Sequence, residues 1–269
     1  MKIHRRSAFS LTAAGLIHIA AQSKITLGHD TTKRDPAELL VRQAAERGHT
    51  DLGWLKSYHS FSFGGYYDQR HMGFRSLRVI NDDKISARRG FPTHPHKDME
   101  IISYVLDGAL QHKDSTGQGA IITPDDIQMM SAGTGITHSE YNPSRTESNH
   151  FLQIWIQPAM RGVQPRYSDA KVRAADKRNR WKQIVGPDRR QGRVAVYQDA
   201  NIFATKLDAE QELSYVVERG RHGWLQVARG SLIVNGTQLR PGDAIATSKA
   251  THLHVVSEKD TDALLFDLG

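Results

Sequence analysis

Residues 99–111 read Met99-Glu100-Ile101-Ile102-Ser103-Tyr104-Val105-Leu106-Asp107-Gly108-Ala109-Leu110-Gln111. A run rich in β-branched and aromatic side chains ends at Asp107-Gly108, where glycine accepts the positive φ of a two-residue turn. This predicts a strand over 99–106, a hairpin at Asp107-Gly108 and a partner strand from Ala109. The same texture spreads outward on both sides. Period-two patterning bounded by turn residues predicts strands over 76–80, 119–123, 127–130 and 151–156. It resumes over 224–227, 231–234, 237–239, 244–247, 252–256 and 263–267, with turns at Asn235-Gly236 and Pro241-Gly242-Asp243. Two antiparallel β units, each of the sandwich or jelly-roll kind, account for this all-β pattern. Ile101-Ile102 and Leu264-Leu265-Phe266 are apolar without alternation, as expected where a strand lies between two packed layers. Helix is expected only over 37–47 and within a basic segment further along.

Composition narrows the chemistry. The chain has 269 residues, 38% of them hydrophobic and 24% charged, enough for one large or two smaller cores. No apolar run nears the ~18 residues of a membrane-spanning helix. With 0 cysteines there is no disulfide framework, thiolate nucleophile or sulfur-held metal, so any metal must be bound through nitrogen and oxygen. Histidine is abundant, at 14 residues.

The net charge of +7 is concentrated between Arg161 and Arg193, where eleven Lys or Arg face three acids. Basic runs without interleaved aromatics seldom read bases, so no sequence-specific nucleic-acid binding is expected. The segment reads as a solvated linker or exposed helix, or as a docking patch for an acidic protein partner. At the other end, Arg5-Arg6, an apolar run over 11–21 and polar residues after it follow the order of an export signal of twin-arginine type. Residues 1–38 are thus an extension, either an export signal leading to the periplasm or a tail on a cytoplasmic protein.

Two short motifs carry the chemistry. His94-Pro95-His96 and His138-Ser139-Glu140 each place two ligating side chains at i and i+2. On a strand these point to one side, so two facing strands would converge three imidazoles and a carboxylate on one point. That set suits a divalent transition metal and leaves coordination positions open. Glu100 shares parity with the first dyad and is read as an acceptor that orients a ligand imidazole. Phe61, Phe63, Met129 and Met130 are candidate walls for a flat aromatic substrate, or ordinary core. His252-Leu253-His254 repeats the spacing near the carboxy terminus, with no carboxylate two residues on.

Residues 90–100, Gly-Phe-Pro-Thr-His-Pro-His-Lys-Asp-Met-Glu, and residues 130–142, Met-Ser-Ala-Gly-Thr-Gly-Ile-Thr-His-Ser-Glu-Tyr-Asn, resemble the pirin family of the cupin superfamily. The likeness is to bacterial members of the quercetin 2,3-dioxygenase type and runs from about Leu39 to the last residue. Supporting segments include Glu46-Arg47-Gly48-His49, His59-Ser60-Phe61-Ser62-Phe63 and Gln153-Ile154-Trp155-Ile156. The resemblance implies two cupin barrels in one chain, a bicupin: a metal-binding barrel over 39–160, a basic linker over 161–193 and a barrel without metal over 194–269. It implies His94, His96, His138 and Glu140 as ligands to one metal, usually Fe(II); imidazole and carboxylate suit Mn, Ni, Co, Cu and Zn as well. The implied reaction is dioxygen-dependent opening of a quercetin-like flavonol with loss of carbon monoxide, Glu140 being the candidate base. The family name also covers regulatory proteins, transcription cofactors and enzyme modulators, which is the rival expectation.

Overall fold

The computed structural model describes residues 39–124, 126–188, 190 and 192–269; the possible export signal over 1–38 lies outside the described residues. Among the described residues the regular secondary structure is almost wholly strand. In order it runs β1 (Leu40–Arg42), a 3-10 turn (Ala44–Glu46), β2 (Gly48–Asp51), β3 (Leu55–His59), β4 (Leu77–Ile85), β5 (Gly90–His96), β6 (Glu100–Asp107) and β7 (Leu110–Asp114). There follow β8 (Gly119–Ile122), β9 (Asp126–Ser131), β10 (Ile136–Tyr141), β11 (Asn149–Ile156), β12 (Arg166–Lys171) and α1 (Ala174–Lys177). The remainder is β13 (Lys182–Gly186), β14 (Val194–Ala195), β15 (Ala200–Leu207), β16 (Glu212–Val217), β17 (His222–Val234), β18 (Thr237–Leu239), β19 (Ala244–Thr247) and β20 (Thr251–Leu268).

Three sheets result. A seven-stranded sheet in the order β12-β9-β6-β11-β4-β3-β2 faces a four-stranded sheet, β5-β10-β7-β8, and the two enclose the amino-terminal cupin barrel. The carboxy-terminal residues supply eight strands of a nine-stranded sheet whose ninth, β1, joins its edge through β19. The two halves share a core. Even-numbered residues of β6 and β11, among them Ile102, Tyr104, Leu152 and Ile154, pack in one cluster with Trp224, Leu264 and Phe266. Odd-numbered neighbours turn inward: Val105 and Phe151 join Leu55, Ile85 and Leu110 inside the amino-terminal barrel, while Leu265 enters the carboxy-terminal core. A strand clothed on both faces needs apolar side chains at consecutive positions, which accounts for Ile101-Ile102 and Leu264-Leu265-Phe266.

Three expectations are corrected. Asp107-Gly108 is a turn, with Gly108 at φ 69°, but not a hairpin: β6 pairs with β9 and β11, whereas β7 pairs with β8 and β10 in the other sheet. The chain crosses the edge of the sandwich there, and Asn149 on β11 secures the corner by donating from Nδ2 to the Ala109 carbonyl at 2.7 Å. Over its described part, 39–47, the helix expected over 37–47 is instead β1 and a single 3-10 turn, because the three residues of β1 find partners on β19. The basic segment is no solvated linker. β12 extends the seven-stranded sheet, β13 joins the nine-stranded one, and Lys177 between them is buried, donating to the Tyr104 hydroxyl and the Pro124 carbonyl.

β5 reaches its place beside β10 because residue 90 has no side chain. A Cβ there would fall 2.1 Å from the Glu140 carbonyl oxygen and 2.5 Å from the Tyr141 Cα. Backbone cannot yield as a side-chain tip does, so Gly90→Ala should cost about 1–3 kcal/mol. Thermal melts should show a clear fall in Tm for Gly90→Ala and little change for Gly65→Ala, where a Cβ meets nothing within 4 Å. A Gly90→Ala protein as stable as the parent would contradict this packing.

Candidate metal centre

β5 and β10 pair antiparallel with His94 opposite His138 and His96 opposite Ile136. The i, i+2 rule sends both β5 imidazoles to one side, and the register brings the third across the ladder to meet them. Ring centroids lie 4.8 Å apart for His94 and His96, 4.5 Å for His94 and His138, and 4.9 Å for His96 and His138. One ligating nitrogen from each falls within 4.8 Å of the others.

The trio is chemically ready to bind a cation. His94 donates from Nδ1 to the Pro92 carbonyl at 2.8 Å, which leaves its Nε2 as the lone-pair nitrogen. Nε2 of His138 is buried and has no hydrogen-bond partner among the described residues. Burial, and then the neighbouring His94, push the His96 imidazolium down to about 4. The same causes, burial first and then His94, His96 and His112, push His138 to about 2. At neutral pH both rings are therefore uncharged, the form that ligates a metal. An orphaned buried nitrogen beside two further imidazoles fits a divalent transition ion, which would satisfy it.

Glu140 stands beside this trio rather than within it. A β-bulge between His138 and Glu140 shifts the register, so Glu140 lies opposite Phe91. Its carboxyl accepts from Ser103 Oγ at 3.2 Å and Gln153 Nε2 at 2.6 Å, and it groups within 4.8 Å with His138 and with His112 of β7. Burial pushes its pKa up to about 7, against the pull of those two hydrogen bonds.

His94 and His96 open on a cavity of about 440 Å³ walled by Phe63, Phe91, Trp155 and Leu55, with Asp83, Asn81 and Gln153 on its polar side. The Trp155 indole stands edge-on to His96 at 5.0 Å and to Phe63 at 5.3 Å. His59 spans Asn81 Oδ1 at 2.8 Å and Thr50 Oγ1 at 2.9 Å. Asp83 is buried, its Oδ1 lacks a partner among the described residues, and burial pushes its pKa up to about 7.

Of the predicted wall residues, only Phe63 lines this cavity. Phe61 packs on Trp224 at 4.9 Å in the core between the halves, and Met129 is buried in that core. Met130 packs with Ile101, Ala132 and Ile136. Glu100 also leaves the site. It accepts from Ser131 Oγ at 2.5 Å and from the Tyr197 backbone N–H at 3.2 Å, tying the halves together. Asp98, in the left-handed conformation at φ 47°, interrupts the alternation between His96 and Glu100, so parity did not carry across. Sequence reasoning missed His112, Asp83 and Trp155. Polar Asn81 and Asp83, two apart and of one parity with Val79 and Ile85 on β4, were the readable signal for an inward polar face. His252 and His254 lie exposed on β20, where His254 contacts Glu212 at 3.1 Å.

The sequence matches the Pirin family model over residues 40–156 and the quercetinase C-terminal cupin domain over 183–268. It is 44% identical over 231 residues to a quercetin 2,3-dioxygenase of Escherichia coli K12, covering 86% of this chain and 98% of that one. A putative quercetin 2,3-dioxygenase of Pseudomonas aeruginosa is 41% identical over 233 residues, covering 86% and 100%. The crystal structure of the bacterial pirin YhhW from Escherichia coli in complex with nickel(II) superposes with a TM-score of 0.81 at 42% identity, covering 86% of this chain and 99% of that one.

The buried carboxyl of Asp83 makes a prediction for the metal-free protein. Its pKa rises from 3.8 to about 7 on folding. The folded state therefore holds this proton more tightly, a contribution complete below about pH 4 and lost as pH climbs through about 7. Neighbouring Asp82 and Glu140 reinforce the shift by like charge. Relative to Asp83→Asn, the parent should lose thermal stability between about pH 5 and about pH 8. A Tm difference independent of pH would refute the shift.

Proposed function

This chain belongs to the pirin family, and from that membership and the geometry of the site we propose that it is a metal-dependent dioxygenase opening the heterocycle of quercetin-like flavonols with release of carbon monoxide. One observation carries the proposal: of three converged imidazoles, one of which has a buried unpartnered nitrogen, His94 and His96 border a cavity of about 440 Å³ walled by aromatic rings. His94 and His138 would hold the metal through Nε2 and His96 through a ring nitrogen, with Glu140 joining them if its carboxyl turns from Gln153. The metal, Fe(II) by family likeness or Mn, Ni, Co, Cu or Zn by donor chemistry, supplies Lewis acidity towards the flavonol hydroxyl and access to dioxygen.

The chain's own residues do the remainder. Phe63, Phe91 and Trp155 offer flat surfaces to a planar substrate and exclude water from its reacting edge. Glu140 takes the flavonol hydroxyl proton, a task suited to a carboxyl whose pKa is about 7. Gln153 and Ser103 hold that carboxyl in place while it waits. Asp83 and Asn81 face the substrate's outlying hydroxyls.

The partner-binding alternative drew on the basic segment, and much of that charge is engaged within the fold. Lys171 pairs with Asp126, Arg178 with Asp208, and Arg190 and Arg193 with Asp188. Arg166 donates to the Ala195 carbonyl and lies 3.9 Å over the Tyr197 ring. This supports the enzymatic reading over a docking patch.

Carbon monoxide release from quercetin under air tests the proposal. The iron-loaded parent should release it; His96→Ala should lose most of its bound metal and its turnover while remaining folded. Glu140→Gln, loaded with metal, should turn over roughly 10²–10⁴-fold more slowly. A parent that holds stoichiometric metal yet releases no carbon monoxide would overturn the assignment.

A further inference from the structure

A buried chain of hydrogen bonds runs behind His138. β7 lies beside β10, with Asp114 opposite His138 and His112 opposite Glu140. The side chains of His112 and Asp114 are wholly inaccessible. His112 Nε2 lies 3.0 Å from Asp114 Oδ2, and its Nδ1 lies 3.4 Å from His138 Nδ1. Tyr167 stacks on the His112 ring at 5.0 Å with the planes 24° apart, fixing its orientation.

The proton positions follow by elimination. Asp114 is surrounded by donors: its Oδ1 accepts from the Thr116 N–H at 2.8 Å, the Thr116 hydroxyl at 2.6 Å and the Gln118 N–H at 3.3 Å. A carboxylate so placed only accepts, so His112 Nε2 carries a hydrogen and donates to it. The neutral His112 ring then presents a lone pair at Nδ1. His138 Nδ1 must donate to that lone pair, and the lone pair of His138 moves to Nε2. That is the nitrogen left buried and unpartnered beside His94 and His96.

We infer that His112 and Asp114 are positioning residues that hold His138 in its Nδ1–H tautomer and direct its Nε2 lone pair to the metal centre. The inference rests on the metal centre proposed above. It gives His138 what the Pro92 carbonyl gives His94: an outer acceptor on one ring nitrogen that frees the other. The His94 acceptor is backbone; the His138 acceptor is made of side chains and can be replaced.

Asp114→Asn should reverse the chain. The amide oxygen stays with the Thr116 and Gln118 donors and turns NH₂ towards His112 Nε2. His112 then donates from Nδ1, and His138 is left protonated on Nε2, the tautomer that cannot ligate there. His112→Phe keeps the ring against Tyr167 and removes both nitrogens, a second variant should Asp114→Asn fail to fold. Two readouts test this. Long-range ¹H–¹⁵N correlation spectra of the metal-free parent, with His138 assigned by loss of its signals in His138→Gln, should show the proton on Nδ1; a proton on Nε2 would overturn the inference. Nickel(II) affinity, measured by chelator competition, should fall by about 10–100-fold in either variant. Parent-like affinity in a folded variant would overturn it. A parent that binds no nickel would refute the metal centre itself, and the parent spectrum would still decide the hydrogen-bond chain.

Discussion

The pairing of Gly90–His96 with Ile136–Tyr141 is the constraint on which the site depends. Side chains alternate along a strand, so a slip of one residue would turn either His94 and His96 or His138 and Glu140 to the opposite side of the sheet. The register is protected by contacts that tolerate no such slip. Gly90 admits the backbone of β10 at a distance where any Cβ would collide, and Asn142, just beyond β10, donates from Nδ2 to the carbonyls of Ile85 and Glu147. The bulge after His138 then sets Glu140 against Gln153 and Ser103, leaving three imidazoles to form the group.

The seven-stranded sheet joins this local geometry to the rest of the chain. Its even-numbered residues on β6 and β11 pack against the carboxy-terminal half, and its odd-numbered ones build the cavity and the barrel core. Gln153 and Trp155 reach the site on a strand whose Leu152, Ile154 and Ile156 are held by the other half. The carboxy-terminal half thus acts as the backing layer of the cavity wall. Glu100 takes part in the same join through Ser131 and the Tyr197 backbone. Burial on this scale also supplies the electrostatics, since desolvation is the first cause of the displaced pKa values of His96, His138, Glu140 and Asp83.

Much of this was legible in the sequence, where the rule involved was local. His94-Pro95-His96 and His138-Ser139-Glu140 announced their geometry because spacing of two on a strand fixes the side of the sheet. Ile101-Ile102 and Leu264-Leu265-Phe266 announced strands between two layers. What failed depended on distant partners. Asp107-Gly108 turns the chain equally well for a hairpin or for a corner between sheets, and only the pairing of β7 with β10 decides between them. The strand at Leu40–Arg42 exists because Ala244–Thr247 lies beside it. Met129, Met130 and Phe61 are apolar in a core and would be apolar in a cavity wall, so residue type could not separate the two. His112 stands alone in its motif, and its meaning comes from a contact with His138 across the ladder.

Anomalous diffraction at the absorption edge of the metal, from crystals of the metal-loaded protein, tests the central claim most directly. The account predicts a single strong site ligated by nitrogen from His94, His96 and His138 at about 2.0–2.2 Å, bordering the cavity that holds Trp155 and Phe63. A metal seated instead among His112, His138 and Glu140, or away from these histidines altogether, would contradict it.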